Sequence, residues 1–170
     1  MTFRIIALIR IIMSRFNNTH RDYISCSRKR NIGISEKGKR YSATNRSRKE
    51  IAEYRIDDES YRRNQNKRCD YVLYVFDTEN SALDDDRLIF IELKGSDVVR
   101  AIKQINQSII DLVEAYNLNP KRVDARIVIS KNRNPSFYAV EERKLKSKLR
   151  IFGKKRGDLK VQTRMIKESI

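Results

Sequence analysis

The stretch RLIFIELKG, residues 87–95, decides the fold because it sets two charged side chains into an otherwise apolar strand. Side chains alternate along a strand, so Glu92 and Lys94 share the face of Phe90, while Leu93 lies on the other face. A charge moved out of water costs several kcal/mol unless it is paired or bound to an ion. The stretch therefore predicts a buried strand whose charged residues serve a polar site.

The segments before this stretch predict two more strands. RCDYVLYVF, residues 68–76, is rich in β-branched and aromatic residues, and the polar link 77–86 separates it from RLIFIELKG. Two such runs joined by a polar link indicate an antiparallel hairpin. KEIAEYRI, residues 49–56, mixes apolar and polar positions over the length of a strand.

A helix is predicted directly after Gly95. Ser96 is a good N-cap and Asp97 suits a first helical turn. Apolar residues then recur at spacings of three and four as far as Asn117, which predicts a helix of about twenty residues.

Three further elements and one loop complete the pattern. ARIVISK, residues 125–131, predicts a buried strand. Residues 139–152 predict a basic helix, and residues 158–166 a last strand. Residues 17–49 are polar and show no sustained period, which predicts a loop or arm. The order of elements indicates an α/β fold with a mixed central β-sheet flanked by helices.

The two ends of the chain carry its positive charge. The 38 Lys and Arg residues against 22 Asp and Glu residues give a net charge of +16. Residues 1–49 contain 13 basic and 2 acidic residues, and residues 141–170 contain 11 and 4, so the middle carries 16 − 11 − 7 = −2. This charge predicts a polyanionic partner, with nucleic acid ahead of an acidic membrane surface.

The chain is long enough for one compact domain and short for two. Residues 50–131 are the predicted core of that domain. Residues 1–49 are predicted to form a basic N-terminal helix and arm, and residues 132–170 a basic extension packed on the same domain.

The cysteines and the N-terminal stretch indicate a cytoplasmic protein that does not span a membrane. Cys26, Cys69 and the single His20 cannot supply the four ligands of a zinc site, and the cysteines are predicted to be free thiols. MTFRIIALIRIIMSRF, residues 1–16, is interrupted by arginines too often to cross a bilayer, so a basic amphipathic helix fits it better.

Two carboxylates are predicted to meet beside one ammonium group. Strand alternation puts Asp70 on the face of Val72, and the hairpin can bring Asp70 beside Glu92, near Lys94. Carboxylates this close repel each other unless a proton or a cation lies between them. Oxygen ligands of this kind suit Mg²⁺, with Mn²⁺ as an alternative.

This arrangement resembles the PD-(D/E)XK nuclease superfamily, over about residues 50–131. The resemblance implies a restriction-endonuclease-like αβββαβ core. It implies that Asp70 and Glu92 hold one or two divalent ions, with the carbonyl of Leu93 as an additional ligand. It also implies that Lys94 positions or activates the attacking water and offsets charge on the phosphorane.

The resemblance to the superfamily is only partial at three further positions. Gln104 matches the glutamine that resolvase-like and exonuclease-like branches place near the site, where it touches substrate or fixes the lysine. Cys69 stands where the proline of the superfamily name would be. Many members supply a further acidic ligand from an upstream helix, for which Glu36, Glu50 and Glu53 are the candidates.

The sequence thus predicts a Mg²⁺-dependent endonuclease that hydrolyses DNA, in a restriction, homing, repair, resolvase or toxin context. An RNA or tRNA nuclease of the same fold and a non-enzymatic basic nucleic-acid-binding protein remain alternatives. A homodimer or homo-oligomer also stays open. Glycine-rich nucleotide-binding motifs are missing from the sequence, and His20 in a basic arm is a poor base for a catalytic triad.

Overall fold

The computed structural model describes residues 23–57, 67–76, 86–93, 95–115, 117, 119–131, 134–154 and 156–170. In these ranges the chain forms two β-sheets and two α-helices. The strands are β1 (Tyr23–Ser27), β2 (Asn31–Glu36), β3 (Lys39–Thr44), β4 (Glu50–Arg55), β5 (Tyr71–Phe76), β6 (Arg87–Glu92), β7 (Arg122–Ile129), β8 (Leu159–Thr163) and β9 (Met165–Ser169). The helices are α1 (Val98–Ile109) and α2 (Ala139–Phe152).

The larger sheet has the strand order β1-β4-β5-β6-β7-β8. Strands β4, β5 and β6 are antiparallel neighbours, so the predicted hairpin between β5 and β6 is confirmed. Strand β7 follows α1 and pairs in parallel with β6, and β8 pairs in parallel with β7. The predicted α/β class with a mixed sheet and helices is therefore confirmed.

The smaller sheet, β2-β3-β9, corrects the prediction of a loop over residues 17–49. Residues 23–27, 31–36 and 39–44 are strands, and in β2 the side chains of Ile32 and Ile34 are buried in alternation with exposed neighbours. The signal was missed because each strand offers only two or three apolar residues. In addition, β3 pairs with β9, which lies more than a hundred residues further along the chain.

The larger sheet separates two apolar cores. One core lies on the side of the helices and includes Phe90, Ile102 and Ile105. The other lies on the side of the smaller sheet and includes Ile89, Ile91 and Ile166. Strand β6 is covered on both faces, which explains its continuous apolar run.

Helix α1 begins one residue later than the sequence suggested. Its N-cap is Asp97, not Ser96, because the Asp97 side chain accepts a hydrogen bond of 3.0 Å from the backbone N–H of Arg100. The helical conformation continues through a π-helical turn, Ile110–Glu114, so the predicted length of the helix is nearly correct. Its apolar stripe packs on the helix-side core.

The C-terminal elements agree with the sequence except at one position. Helix α2 has the predicted bounds, 139–152. The predicted strand over residues 158–166 is two strands, because Arg164 adopts a φ of 66° and turns the chain out of β8 into β9. No helix among the described residues is long and apolar enough to cross a membrane, and the predicted N-terminal helix over residues 1–16 lies outside the described ranges.

A buried ion-pair network joins the two sheets. Arg126 on β7 is fully buried, and its Nε and Nη2 donate to the two carboxylate oxygens of Glu168 on β9 at 2.8 and 2.9 Å. Lys160 and the hydroxyl of Tyr41 donate to the same carboxylate, each at 2.9 Å. Burial alone would raise the pKa of Glu168, but these hydrogen bonds and the charge of Arg126 lower it to about 2.

Candidate functional site

Asp70 and Glu92 lie opposite each other at one edge of the larger sheet. The β5–β6 register pairs Tyr71 with Ile91, so continuing it by one residue sets Asp70 across from Glu92. Both side chains are buried, with 2% and 0% exposure. Alternation along the strands turns both toward the helix-side core.

The Asp70 carboxylate is held against β6 by a backbone hydrogen bond. The N–H of Leu93 donates to Asp70 Oδ2 at 2.7 Å. This contact fixes the position of one carboxylate relative to the strand that carries the other. The Asp70 carboxylate therefore contacts the residue that directly follows Glu92.

The buried thiol of Cys69 reports the charge at this edge. Burial raises the pKa of Cys69, and the nearby charges of Glu92 and Asp70 raise it further, against a contact with Ser108 that lowers it. Cys69 directly precedes Asp70 and is itself fully buried. The thiol belongs to the helix-side core, toward which both carboxylates turn.

Helix α1 fixes the segment that enters β5. Gln104 Nε2 donates to the carbonyl oxygen of Arg68 at 2.8 Å, and one turn later the hydroxyl of Ser108 accepts from the N–H of Cys69 at 2.9 Å. Gln104 is only 4% exposed, and its Oε1 has no hydrogen-bond partner among the described residues. The end of the sheet that carries Asp70 and Glu92 is called the carboxylate edge below. Gln104 lies beside it, bound to the backbone of Arg68, two residues before Asp70.

The predicted roles of Lys94 and of the Leu93 carbonyl in the site stay predictions. Lys94 lies outside the described residues, so its role in water activation stays a prediction. Leu93 is buried in the core beside the smaller sheet, and its N–H binds Asp70. The role of its carbonyl as a metal ligand also stays a prediction.

None of the three candidate upstream acids joins the pair. Glu53 is opposite Leu73, whose side chain packs on the other face of the sheet. Glu50 begins β4, about 20 Å from the end that reaches Asp70 at roughly 3.3 Å per residue, and binds Arg28 at 2.7 Å. Glu36 lies on β2 in the smaller sheet.

Among the described residues, the candidate metal ligands are the carboxylates of Asp70 and Glu92. In that part, no cluster of three or more His, Cys, Asp or Glu side chains could hold a metal. Mg²⁺ is commonly bound by one or two carboxylates and completes its octahedron with waters and phosphate oxygens. Asp70 and Glu92 therefore fit a hard divalent ion that also contacts a phosphate.

A basic groove next to this edge was not predicted from the sequence. Its volume is about 260 Å³, and its lining residues are Lys67, Arg100, Lys103, Gln104 and Gln107. The four helical residues are spaced at i, i+3, i+4 and i+7, which places them on one face of α1. That spacing was the available signal, but it did not reveal which segment faces the helix.

Comparison of the chain with protein-family models, with curated proteins and with solved structures gives no significant match. The functional assignment therefore depends on the residues and geometry of this chain.

Proposed function

We propose that this chain is a metal-dependent nuclease that hydrolyses phosphodiester bonds of DNA. The observation that carries the proposal is the pair of buried carboxylates: Asp70 directly precedes β5, and Glu92 ends the antiparallel neighbour β6 at the same end of the sheet. Buried acids in this arrangement are costly unless a cation or proton compensates them. The net charge of +16 supports a polyanionic substrate.

The order of elements supports a restriction-endonuclease-like core. Strands β4, β5 and β6 form an antiparallel meander, α1 follows, and β7 returns parallel to β6. This order agrees with the βββαβ part of the PD-(D/E)XK core. Residues 1–22 lie outside the described ranges. In this proposal the carboxylate edge is the catalytic edge.

The chemistry assigns a separate task to each residue. Asp70 and Glu92 would hold Mg²⁺, which when bound neutralises phosphate charge and lowers the pKa of a water. Leu93 orients the site by donating its N–H to Asp70. Lys94 is proposed to position the attacking water and to offset negative charge on the phosphorane.

A cleavage assay tests the proposal. The full-length chain is incubated with single-stranded, duplex and branched DNA and with RNA, in Mg²⁺, in Mn²⁺ and in EDTA. We expect metal-dependent cleavage of DNA. Cleavage of RNA but not of DNA would assign RNA as the substrate. Binding of nucleic acid without cleavage of any substrate would favour a non-enzymatic binding protein.

Gln104→Ala is expected to reduce turnover without removing the metal. The substitution deletes the hydrogen bond to Arg68 and so loosens the entry into β5, but it leaves both carboxylates in place. Loss of this positioning contact predicts roughly a tenfold or greater decrease in kcat. The measurement is kcat against Mg²⁺ concentration, in which the metal dependence stays unchanged.

Gln107→Ala is the matched control for this substitution. Gln107 lies on the same helix, but its amide bonds Asp111 and not the segment that enters β5. We therefore expect a smaller loss of kcat. A larger loss for Gln107→Ala than for Gln104→Ala would show that the glutamine near the site has been misassigned.

A further inference from the structure

We propose that the basic groove, defined by Lys67, Arg100, Lys103, Gln104 and Gln107, binds a phosphate of the substrate strand at a distance from the bond that is cut. The inference rests on the proposed function for the identity of the substrate, and it adds a second contact point. Its ligand is a phosphodiester of a nucleic-acid backbone.

The groove concentrates cations that nothing neutralises in the described part of the chain. Lys67, Arg100 and Lys103 have exposed side chains, and none forms an ion pair with a described acidic residue. The described acids on either side already have partners: Asp97 accepts from the backbone N–H of Arg100 at 3.0 Å, and Asp111 is bound by Arg68 and by Gln107, each at 2.8 Å. The three cations therefore remain available to an external anion.

Two contacts fix the groove walls relative to each other. Gln104 binds the backbone of Arg68, and the side chain of Arg68 binds Asp111. Lys67 is consequently held against the face of α1 that carries Arg100 and Lys103. Such preorganisation favours a bound phosphate, because less side-chain and chain entropy is lost when the ligand binds.

The distance to the carboxylate pair defines the position along the strand. Lys67 precedes Asp70 by three residues, which span at most about 11 Å when fully extended. Phosphates of one strand of duplex DNA are about 3.4 Å apart along the helix axis. Because about 11 Å is the largest span and about 3.4 Å the smallest spacing, the groove would contact a phosphate within about three nucleotides of the scissile bond.

Binding of DNA in EDTA tests the groove without cleavage. The full-length chain is titrated into a short fluorescent duplex at several KCl concentrations, followed by anisotropy. Each phosphate contact contributes about 0.9 to the slope of log affinity against log salt. Arg100→Gln/Lys103→Gln removes the cations that hold one phosphate, so it should lower that slope by about 0.9 and weaken affinity in about 0.1 M KCl roughly eightfold.

The control removes the same two charges at the opposite edge. Lys154 and Arg156 are exposed and follow Gly153, which packs so closely on the start of β7 that a Cβ there would be 2.6 Å from Val123 N. Lys154→Gln/Arg156→Gln should lose much less affinity. An unchanged salt slope in the groove variant, or equal losses in both variants, would overturn the proposal.

A neutral methylphosphonate, moved one phosphate at a time along the strand, locates the contact. One position should weaken binding of the wild type but not of Arg100→Gln/Lys103→Gln, which is the signature of a coupled pair. Coupling at no position would overturn the inference. If no substrate is cleaved but this coupling is present, the nuclease proposal fails and the phosphate site stands.

Discussion

Asp70→Asn and Glu92→Gln are each expected to abolish Mg²⁺-dependent cleavage while the chain stays folded. Both substitutions keep the shape of the side chain and remove its negative charge. In Asp70→Asn the amide oxygen can still accept from the N–H of Leu93, so this buried donor keeps its partner, whose loss would cost about 1–3 kcal/mol. When catalytic groups act as a unit, removing one of them costs about as much activity as removing all of them. We therefore expect roughly a thousandfold or greater decrease in kcat/KM for either variant.

The matched control is Glu53→Gln. Glu53 lies on the neighbouring strand β4, half-buried but on the opposite face of the same sheet. Its neutralisation changes the net charge equally and should leave kcat/KM near the wild-type value. Cleavage rates are compared with far-ultraviolet circular dichroism of each variant. Wild-type cleavage by folded Glu92→Gln would refute the assignment of the metal site.

Lys94→Ala is expected to give the same loss of cleavage by a different route. The two carboxylates remain, so binding of Mg²⁺ should be retained, as measured by calorimetry on the full chain. Loss of metal binding in this variant would assign the lysine a structural role in place of one in water activation.

Glu168→Gln is expected to cause the largest loss of stability. It leaves Arg126, which is fully buried, without its bidentate partner between the two sheets. Breaking a buried pair by removing the charge of one partner costs about 3–5 kcal/mol. Urea unfolding at neutral pH measures this change directly.

A surface pair provides the comparison. Glu142 binds Lys146 at 2.7 Å one helical turn away, and both side chains are partly exposed. Pairs of this kind contribute about 0.3–0.5 kcal/mol, so Glu142→Gln should have little effect on unfolding. Equal losses for Glu142→Gln and Glu168→Gln would show that the buried network adds nothing beyond an ordinary surface ion pair.

The same carboxylate gives the stability a defined dependence on pH. The folded pKa of Glu168 is about 2, below its ordinary value of 4.5, so its contribution is present above about pH 4.5 and is lost as pH falls toward 2. A difference of this size corresponds to about 3 kcal/mol. The wild type should therefore lose more stability than Glu168→Gln between pH 5 and 2, by about that amount.

The carboxylate edge was predictable because it is built from contacts that are local in sequence. A strand, a polar link and a second strand fix a hairpin, and side-chain alternation then decides which residues share a face. Asp70 and Glu92 needed nothing more than this rule. The bounds of α2 followed from composition. Those of α1 differ at both ends: Asp97 and not Ser96 is the N-cap, and the α-helix passes into a π-helical turn at Ile110 before the predicted end at Asn117.

The contacts that were missed join distant parts of the chain. Arg126 stands in an apolar strand just as Glu92 does, so the reasoning applied to Glu92 could have drawn attention to it. Its partner Glu168 is 42 residues away, on β9. The sequence pattern did not separate β9 from β8. Strands β2 and β3 were overlooked for the same reason, since β3 pairs with the distant β9 and the apolar residues of both strands pack against the larger sheet.

Synthesis of this chain on a ribosome separates the two halves of the smaller sheet in time. The hydroxyl of Tyr41 on β3 bonds Glu168 on β9 across 127 residues. At about 5–20 residues per second, β9 emerges roughly 6 to 25 s after β3. During that interval β3 can pair only with β2, and the apolar side chains that later cover β6 are exposed. The nascent chain is therefore expected to need protection from aggregation until β9 is made.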